Sequence, residues 1–336
     1  MSIETASTGQ VGPPPPYDAE LAGTEAAFAA LMPPSTTPDL VSAFRSGPTG
    51  AAPLMSDDEL GRDGEFQVFE RTAPGPAGAP DITLLICLPA GAEAPTPAIY
   101  YTHGGGSILG DRRTNMPDIL DLASSVGAAV ISVEYRLAPE HPHPAPVEDC
   151  YAGLLWVAAN TAELNVDPDR IVVAGPSGGG GLAAAMALLA RDRGGPALAG
   201  QMLQMPMLDD RGDTPSALQM ASQDTWINTV SVTAWTSLLG DARGGPDVSP
   251  YVAPARATDL SGLPPAFIYV GSVESFRDED VAYASAIWRD GGQAELHVWS
   301  GGFHGFDFMA PHAAVSQAAK AARSSWMRRI LNPAAS

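Results

Sequence analysis

Arg170-Ile171-Val172-Val173-Ala174-Gly175-Pro176-Ser177-Gly178-Gly179 is an apolar, β-branched run that breaks on a glycine-flanked serine, and residues 182–189 beyond it read as helix. A serine so placed sits on a tight strand-to-helix turn, with its hydroxyl exposed and the following backbone N–H aimed where negative charge would develop. The turn drives the serine towards positive φ and packs strand and helix so closely that flanking side chains would collide, which is the mechanical reason for the glycines. Taken alone, G-x-S-x-G also describes many ordinary loops.

Tyr100-Tyr101-Thr102-His103-Gly104-Gly105-Gly106 ends a second β-branched and aromatic run, so three consecutive glycines fall at the carboxyl end of a strand. Open α/β sheets place their sites there. Without Cβ atoms, such a loop can turn its N–H groups inward to meet a developing negative charge. A flexible turn is the bland alternative, and the coupling to the serine elbow argues against it.

With these motifs, the chain resembles the hormone-sensitive-lipase-like carboxylesterases, the bacterial family IV branch of the α/β-hydrolases. The resemblance runs from about Pro15 to the C-terminus. It rests on His103-Gly104-Gly105-Gly106, on Tyr135-Arg136-Leu137-Ala138-Pro139-Glu140-His141-Pro142, on Pro146-Val147-Glu148-Asp149-Cys150, on the elbow, on residues 274–279 and on Phe303-His304-Gly305-Phe306-Asp307, in the family's order. The family's elbow usually reads GDSAG or GTSAG, whereas Pro176 and Gly178 stand here. Pro176 removes a donor one residue before the nucleophile, where an oxyanion does not use it, and the N–H that it does use belongs to Gly178.

Six histidines compete to be the base. In α/β-hydrolases the partners follow in the order serine, acid, histidine, which leaves His297, His304 and His312. His297 alternates with Leu296 and Val298 and reads as a strand residue facing a neighbour. His312 follows Pro311 at the start of the last helix and is expected in solvent. His304 stands in a glycine-bounded loop immediately after that strand, where a base that swings between nucleophile and leaving group belongs. His103 reads as an anchor of the glycine loop, and His141 and His143 as a turn between prolines, since His-x-His without a carboxylate or cysteine in register is a weak metal signal.

For the acid, the resemblance aligns Glu274 with the catalytic Asp of the family's D-x-L-R-D-E pattern. A glutamate meets the requirement for a desolvated carboxylate that accepts the His Nδ1–H. The competing reading makes Asp278 the acid. Asp278 and Glu279 otherwise look like the charged first turn of a helix ending near Asp290. Glu148 is open to the same helix-terminus reading, and Arg136 could pair with either of Glu148 and Asp149.

Apolar, β-rich runs recur at about 65–73, 82–89, 97–102, 128–134, 170–174, 200–207, 264–271 and 293–299, with helical stretches at 147–163, 177–193, 277–290 and 313–331. Strands alternating with helices imply an α/β fold, a mostly parallel eight-stranded sheet flanked by helices. The first two strands, joined by a Pro/Gly-rich loop, suit its antiparallel edge. Residues 56–208 and 254–336 form the core on this reading. Residues 1–55, opening on about twelve disordered positions, and the insertion 209–253, with Met220, Trp226, Trp235 and Leu238, lie outside the sheet. In the family such segments pack together as a helical cap over the serine. Some of the aromatics are then simply cap core.

The formal charge is −20 with a pI near 4.4. Such a surface repels nucleic acid and anionic membrane. It also raises an expectation of salt tolerance, which a high-GC coding bias would mimic. No apolar run reaches membrane-spanning length and no charged, then apolar, leader is evident, so cytoplasmic residence is the default. Cys87 and Cys150 read as buried thiols in a reducing compartment.

The expected activity is hydrolysis of short-chain carboxylic esters, with Ser177 as nucleophile, His304 as base, Glu274 as its orienting acid, and Gly178 with two of Gly104, Gly105 and Gly106 as the oxyanion hole. Family geometry favours Gly105 and Gly106. A small-molecule ester is the only partner needed by a monomer or homodimer, with no metal or organic cofactor. An amidase or aryl-ester specialist uses the same machinery, and a non-catalytic binding protein on the same fold is the reading from another class.

Overall fold

The computed structural model describes residues 11–31, 37–46, 55–221 and 226–332. Most of the expected N-terminal disorder, and the side chain of Trp226, lie outside the described residues. Eight strands form one sheet: β1 (Phe66–Ala73), β2 (Ile82–Pro89), β3 (Thr96–Tyr101), β4 (Ala129–Val133), β5 (Val166–Pro176), β6 (Gly200–Gln204), β7 (Ala266–Gly271) and β8 (Ala294–Trp299). The helices are α1 (Ala22–Leu31), α2 (Pro38–Ser46), α3 (Asp57–Gly61), α4 (Met116–Val126), α5 (Ala145–Ala159), α6 (Gly178–Asp192), α7 (Pro215–Ala221), α8 (Trp226–Leu239), α9 (Arg277–Arg289), α10 (Phe306–Met309) and α11 (Ala314–Leu331).

The strand order is β1-β2-β4-β3-β5-β6-β7-β8. β2 pairs antiparallel with both β1 and β4, and every later pairing is parallel. Strands β3, β4, β6 and β7 are buried along their whole length, as a parallel sheet covered on both faces requires. The side-chain period of two sorts neighbours to opposite faces. Tyr100, Ile171 and Val173 pack with Leu154 of α5, Leu188 of α6 and Ile287 of α9, whereas Tyr101 and Val172 pack with Leu120 of α4 and Trp326 of α11. The edge strands β1 and β8 are only partly buried and carry Glu70, Arg71, Glu295 and His297, charge that discourages pairing with another edge.

The expected eight strands and four helices all form. One difference is α4, which the expected helices omit although Met116, Ile119, Leu120 and Ala123 fall at helical spacing and are buried. Gly127 ends it in the left-handed conformation, as C-terminal glycines do.

After β3 the chain returns to β4 on one side and then crosses to β5 on the other, so the strand order reverses between β3 and β5. Crevices at the carboxyl ends of strands open at such reversals. The glycine loop follows β3 and Ser177 follows β5, so both candidate motifs flank that point. A smaller apolar cluster lies above it and joins Val41 of α2, Ile108 beyond the glycine loop, Ala234, Trp235 and Leu238 of α8, and Phe276.

Candidate active site

Ser177 has φ 55° and ψ −123°, a conformation that costs a non-glycine residue about 1–3 kcal/mol. Three backbone bonds hold it there. Its N–H donates to Gln204 O at 2.8 Å, and its carbonyl accepts from Gly181 N and Met207 N, both at 3.0 Å. A Cβ on Gly178 would lie 2.6 Å from the Cα of Gly106 and 2.8 Å from its nitrogen, so elbow and glycine loop approach as closely as backbone allows. Among the described residues, the N–H groups of Gly104, Gly105, Gly106 and Gly178 donate to no protein acceptor. Unspent donors gathered beside a serine are what an oxyanion needs.

The glycine loop is tied from both sides. His103 is fully buried and stacks on Tyr135 with centroids 4.2 Å apart. Burial pushes its imidazole below the ordinary value, and the neutral ring meets Gly104 O through Nδ1 at 2.8 Å. Tyr135 donates its hydroxyl to His103 O at 2.8 Å. On the other side, Arg45 of α2 donates from Nε to Ile108 O at 2.6 Å, from Nη2 to Ala138 O, and from Nη1 to Glu140 at 2.8 Å. Ala138 N in turn donates to Ser107 O at 2.9 Å. No local pattern could have announced Arg45, because its acceptors lie 63 to 95 residues away.

Glu274 is 2% exposed. Its Oε1 lies 2.9 Å from His304 Nδ1, and its Oε2 accepts the N–H of Gly271 at 3.0 Å. Phe276 meets the imidazole edge-on with centroids 5.3 Å apart. The loop bearing His304 folds back over the end of β7, where Val273 N donates to Gly302 O at 2.9 Å and Gly301 N to Ser272 Oγ at 2.8 Å. Two strand spacings, about 10 Å, separate β5, which leads into Ser177, from β7, which leads into the loop of Glu274.

A second set of bonds, unforeseen from the sequence, underpins the same loops. Tyr269 donates its hydroxyl to Asp307 at 2.6 Å and accepts from Gln204 Nε2 at 3.2 Å. Burial pushes the Asp307 carboxyl up to about 6. Gln204, whose carbonyl receives Ser177 N–H, is thereby linked to the short helix that follows His304.

The remaining candidates lie elsewhere. Asp278 accepts Ser216 N–H at 2.8 Å and pairs with Arg277 at 2.7 Å, so it joins α7 to α9 and meets no histidine. Glu279 lies in the first turn of α9 as expected, yet it is 3% exposed and accepts N–H bonds from Leu208 at 2.8 Å and Asp209 at 3.2 Å. Burial pushes its carboxyl well above the usual range. Arg136 takes Asp149, through Nε at 2.8 Å and Nη2 at 2.7 Å. Glu148, in the first turn of α5, pairs with Arg193 at 2.6 Å. His297 stacks on Trp299 with centroids 5.4 Å apart. His312 and His141 are exposed, and His143 is half-buried. Among the described residues no cluster of His, Cys, Asp and Glu has the makings of a metal site.

Comparison with known proteins agrees with this fold. Residues 99–308 match a family described as having the alpha/beta hydrolase fold. Carboxylesterase NlhH of Mycobacterium tuberculosis is 39% identical over 244 residues, 72% of this chain and 76% of that protein. An arylesterase of Saccharolobus solfataricus is 32% identical over 209 residues, 62% of this chain and 67% of that one. Among solved structures, a bacterial heroin esterase superposes with a TM-score of 0.84 at 37% identity, covering 94% of this chain and 98% of its own.

Proposed function

We propose, for a chain that belongs to the α/β-hydrolase family and is a carboxylic ester hydrolase, that Ser177, His304 and Glu274 are its catalytic triad. The observation that carries the assignment is the buried Glu274 carboxylate 2.9 Å from His304 Nδ1, on the strand edge that also bears the strained Ser177. Glu274 fixes the tautomer that leaves Nε2 free to take a proton, and stabilises the imidazolium once it has formed. Ser177 Oγ attacks the ester carbonyl as His304 takes its proton. The resulting oxyanion is met by Gly178 N–H and by Gly105 and Gly106, the His103 contact to Gly104 O fixing the peptide unit that carries the Gly105 N–H. His304 returns the proton to the departing alcohol, leaving an acyl-enzyme, and water then repeats the sequence to release the acid.

Residues 1–55 and 209–253 serve as the cap on this reading, and 56–208 with 254–336 as the catalytic core. The packing of Val41 in α2 with Ala234 and Trp235 in α8 over the glycine loop supports it. Such a cover supplies the apolar wall for the acyl group and excludes water from a charged intermediate. A closed pocket favours short acyl chains. Across p-nitrophenyl esters from acetate to palmitate, kcat/KM should be highest between acetate and hexanoate, with a burst of p-nitrophenol at enzyme stoichiometry. A maximum at palmitate, or activation at the micellar threshold, would contradict the closed pocket, and the absence of a burst under rate-limiting deacylation would contradict the acyl-enzyme.

Arg45 acts through the glycine loop as a positioning residue. A displacement of about 1 Å remote from the chemistry can cost about 10²-fold, so Arg45→Met should lower kcat by about 10- to 100-fold with KM changed far less. Wild-type kcat in the folded variant would remove Arg45 from the account.

No described helix is long and apolar enough to cross a membrane. Cytoplasmic residence, as a monomer or homodimer, completes the proposal, and the two buried free thiols, Cys87 and Cys150, suit a reducing compartment.

A further inference from the structure

A cavity of about 20 Å³ opens beside Gly178, room for about one water molecule. Leu182 of α6, Met207, Leu238 of α8 and Val252 give it apolar walls, and Ser107 and His143 line it as well. None of its lining comes from residues 271–309, the segment that carries Glu274 and His304. On the triad reading above, His304 hands its proton to the leaving alcohol, so the alcohol lies on the His304 side. The acyl group remaining on Ser177 is then free to turn the other way, towards the cavity that the neighbouring Gly178 helps to line.

His143 is the unexpected member of that wall. Its backbone N–H donates to Leu238 O at 3.1 Å, which fixes the residue against α8. Burial holds its imidazole below the ordinary value, against a smaller opposing pull from Glu148. The ring is therefore neutral at pH 7, with one nitrogen a donor and the other an acceptor. Neither nitrogen has a protein partner among the described residues. A half-buried histidine in the wall of a mostly apolar cavity offers an occupant a hydrogen bond that an apolar group in the same place forgoes.

We propose that His143 is a specificity-determining residue, selecting short acyl groups that carry a hydroxyl on the carbon next to the ester carbonyl. The cavity is too small for a long chain, and an added hydroxyl one carbon out is a polar group it can take at little cost in volume. A bound water on His143, in place of any acyl substituent, is the competing occupant.

Phenyl glycolate and phenyl propionate separate the two, because they differ only in a terminal hydroxyl against a methyl group. The ratio of kcat/KM for the two esters is measured in wild type, His143→Phe and His143→Gln. Comparison between enzymes cancels the intrinsic reactivity of the glycolate. The ratio should fall about 5- to 10-fold in the Phe variant, the scale of one neutral hydrogen bond, and the Gln variant should keep most of it. An unchanged ratio in His143→Phe overturns the proposal, and so does an equal fall in His143→Gln, which would trace the effect to shape. With propionate turnover intact, either result defeats the pocket assignment alone. Failure of wild type to hydrolyse either ester would instead defeat the triad reading, and this inference with it.

Discussion

Ser177→Ala should abolish esterase activity to within about one part in 10⁴–10⁶, because triad members act as a unit and loss of the nucleophile forfeits nearly all that the unit supplies. The fold should survive, since the three backbone bonds that hold residue 177 do not involve its side chain. Ser177→Gly makes a sharper companion. At φ 55° and ψ −123° glycine avoids the strain of about 1–3 kcal/mol that a serine bears. That relief exceeds the cost of about 0.4–1 kcal/mol that glycine's greater freedom when unfolded brings, so the dead glycine variant should melt at or above Ser177→Ala. Retention of more than about a tenth of activity in Ser177→Ala would end the nucleophile assignment. A glycine variant that melts below Ser177→Ala would show that the elbow is not strained as described.

The strands were legible because β3, β5 and β7 carry apolar runs bounded by glycine or proline, as burial on both faces demands, although Ser132 in β4 and Gln201 and Gln204 in β6 interrupt the pattern. The motifs after β3, β5, β7 and β8 could be ordered along one sheet edge for the same reason: in a parallel sheet every strand ends on the same side. What stayed hidden depends on contacts between distant residues. Arg45 reaches across 63 and 93 residues to the carbonyls of Ile108 and Ala138, and an arginine in a short N-terminal helix looks the same with or without acceptors. Tyr269 and Asp307 read as a strand aromatic and a loop acid until the sheet brings them within 2.6 Å. Glu279 is legible as a carboxylate in the first turn of a helix, and only its burial is not. Its position in the first turn of a helix fits a solvated charge, but α9 docks that turn against Leu208 and Asp209, whose N–H groups it accepts. His143 stands between two prolines and reads as part of a turn, and its place in a cavity wall depends on α6 and α8 arriving from elsewhere in the chain.

The choice between Glu274 and Asp278 has the second large effect, and hydrogen-bond direction decides what each substitution should do. Gly271 N–H can only donate, and it donates to Glu274 Oε2 at 3.0 Å. In Glu274→Gln the amide oxygen must therefore take that side, which turns the NH₂ group towards His304 Nδ1. An amide donor facing Nδ1 requires a lone pair there and moves the ring proton to Nε2, the atom that must accept the serine proton. The wrong tautomer at this position of a triad costs about 10⁴ in turnover in the chymotrypsin-type example. Glu274→Asp keeps the charge but shortens the reach by one methylene, so its turnover should fall between wild type and the Gln variant. Asp278→Asn keeps a carbonyl oxygen for Ser216 N–H and weakens only the pairing with Arg277, a partly exposed contact worth about 0–1 kcal/mol of stability. Its turnover should stay near wild type. All three are measured in one ester assay, with circular dichroism as the check on folding. If Asp278→Asn is the inactive variant and Glu274→Gln is near normal, the acid lies four residues further on and His304 is oriented by something other than its 2.9 Å neighbour.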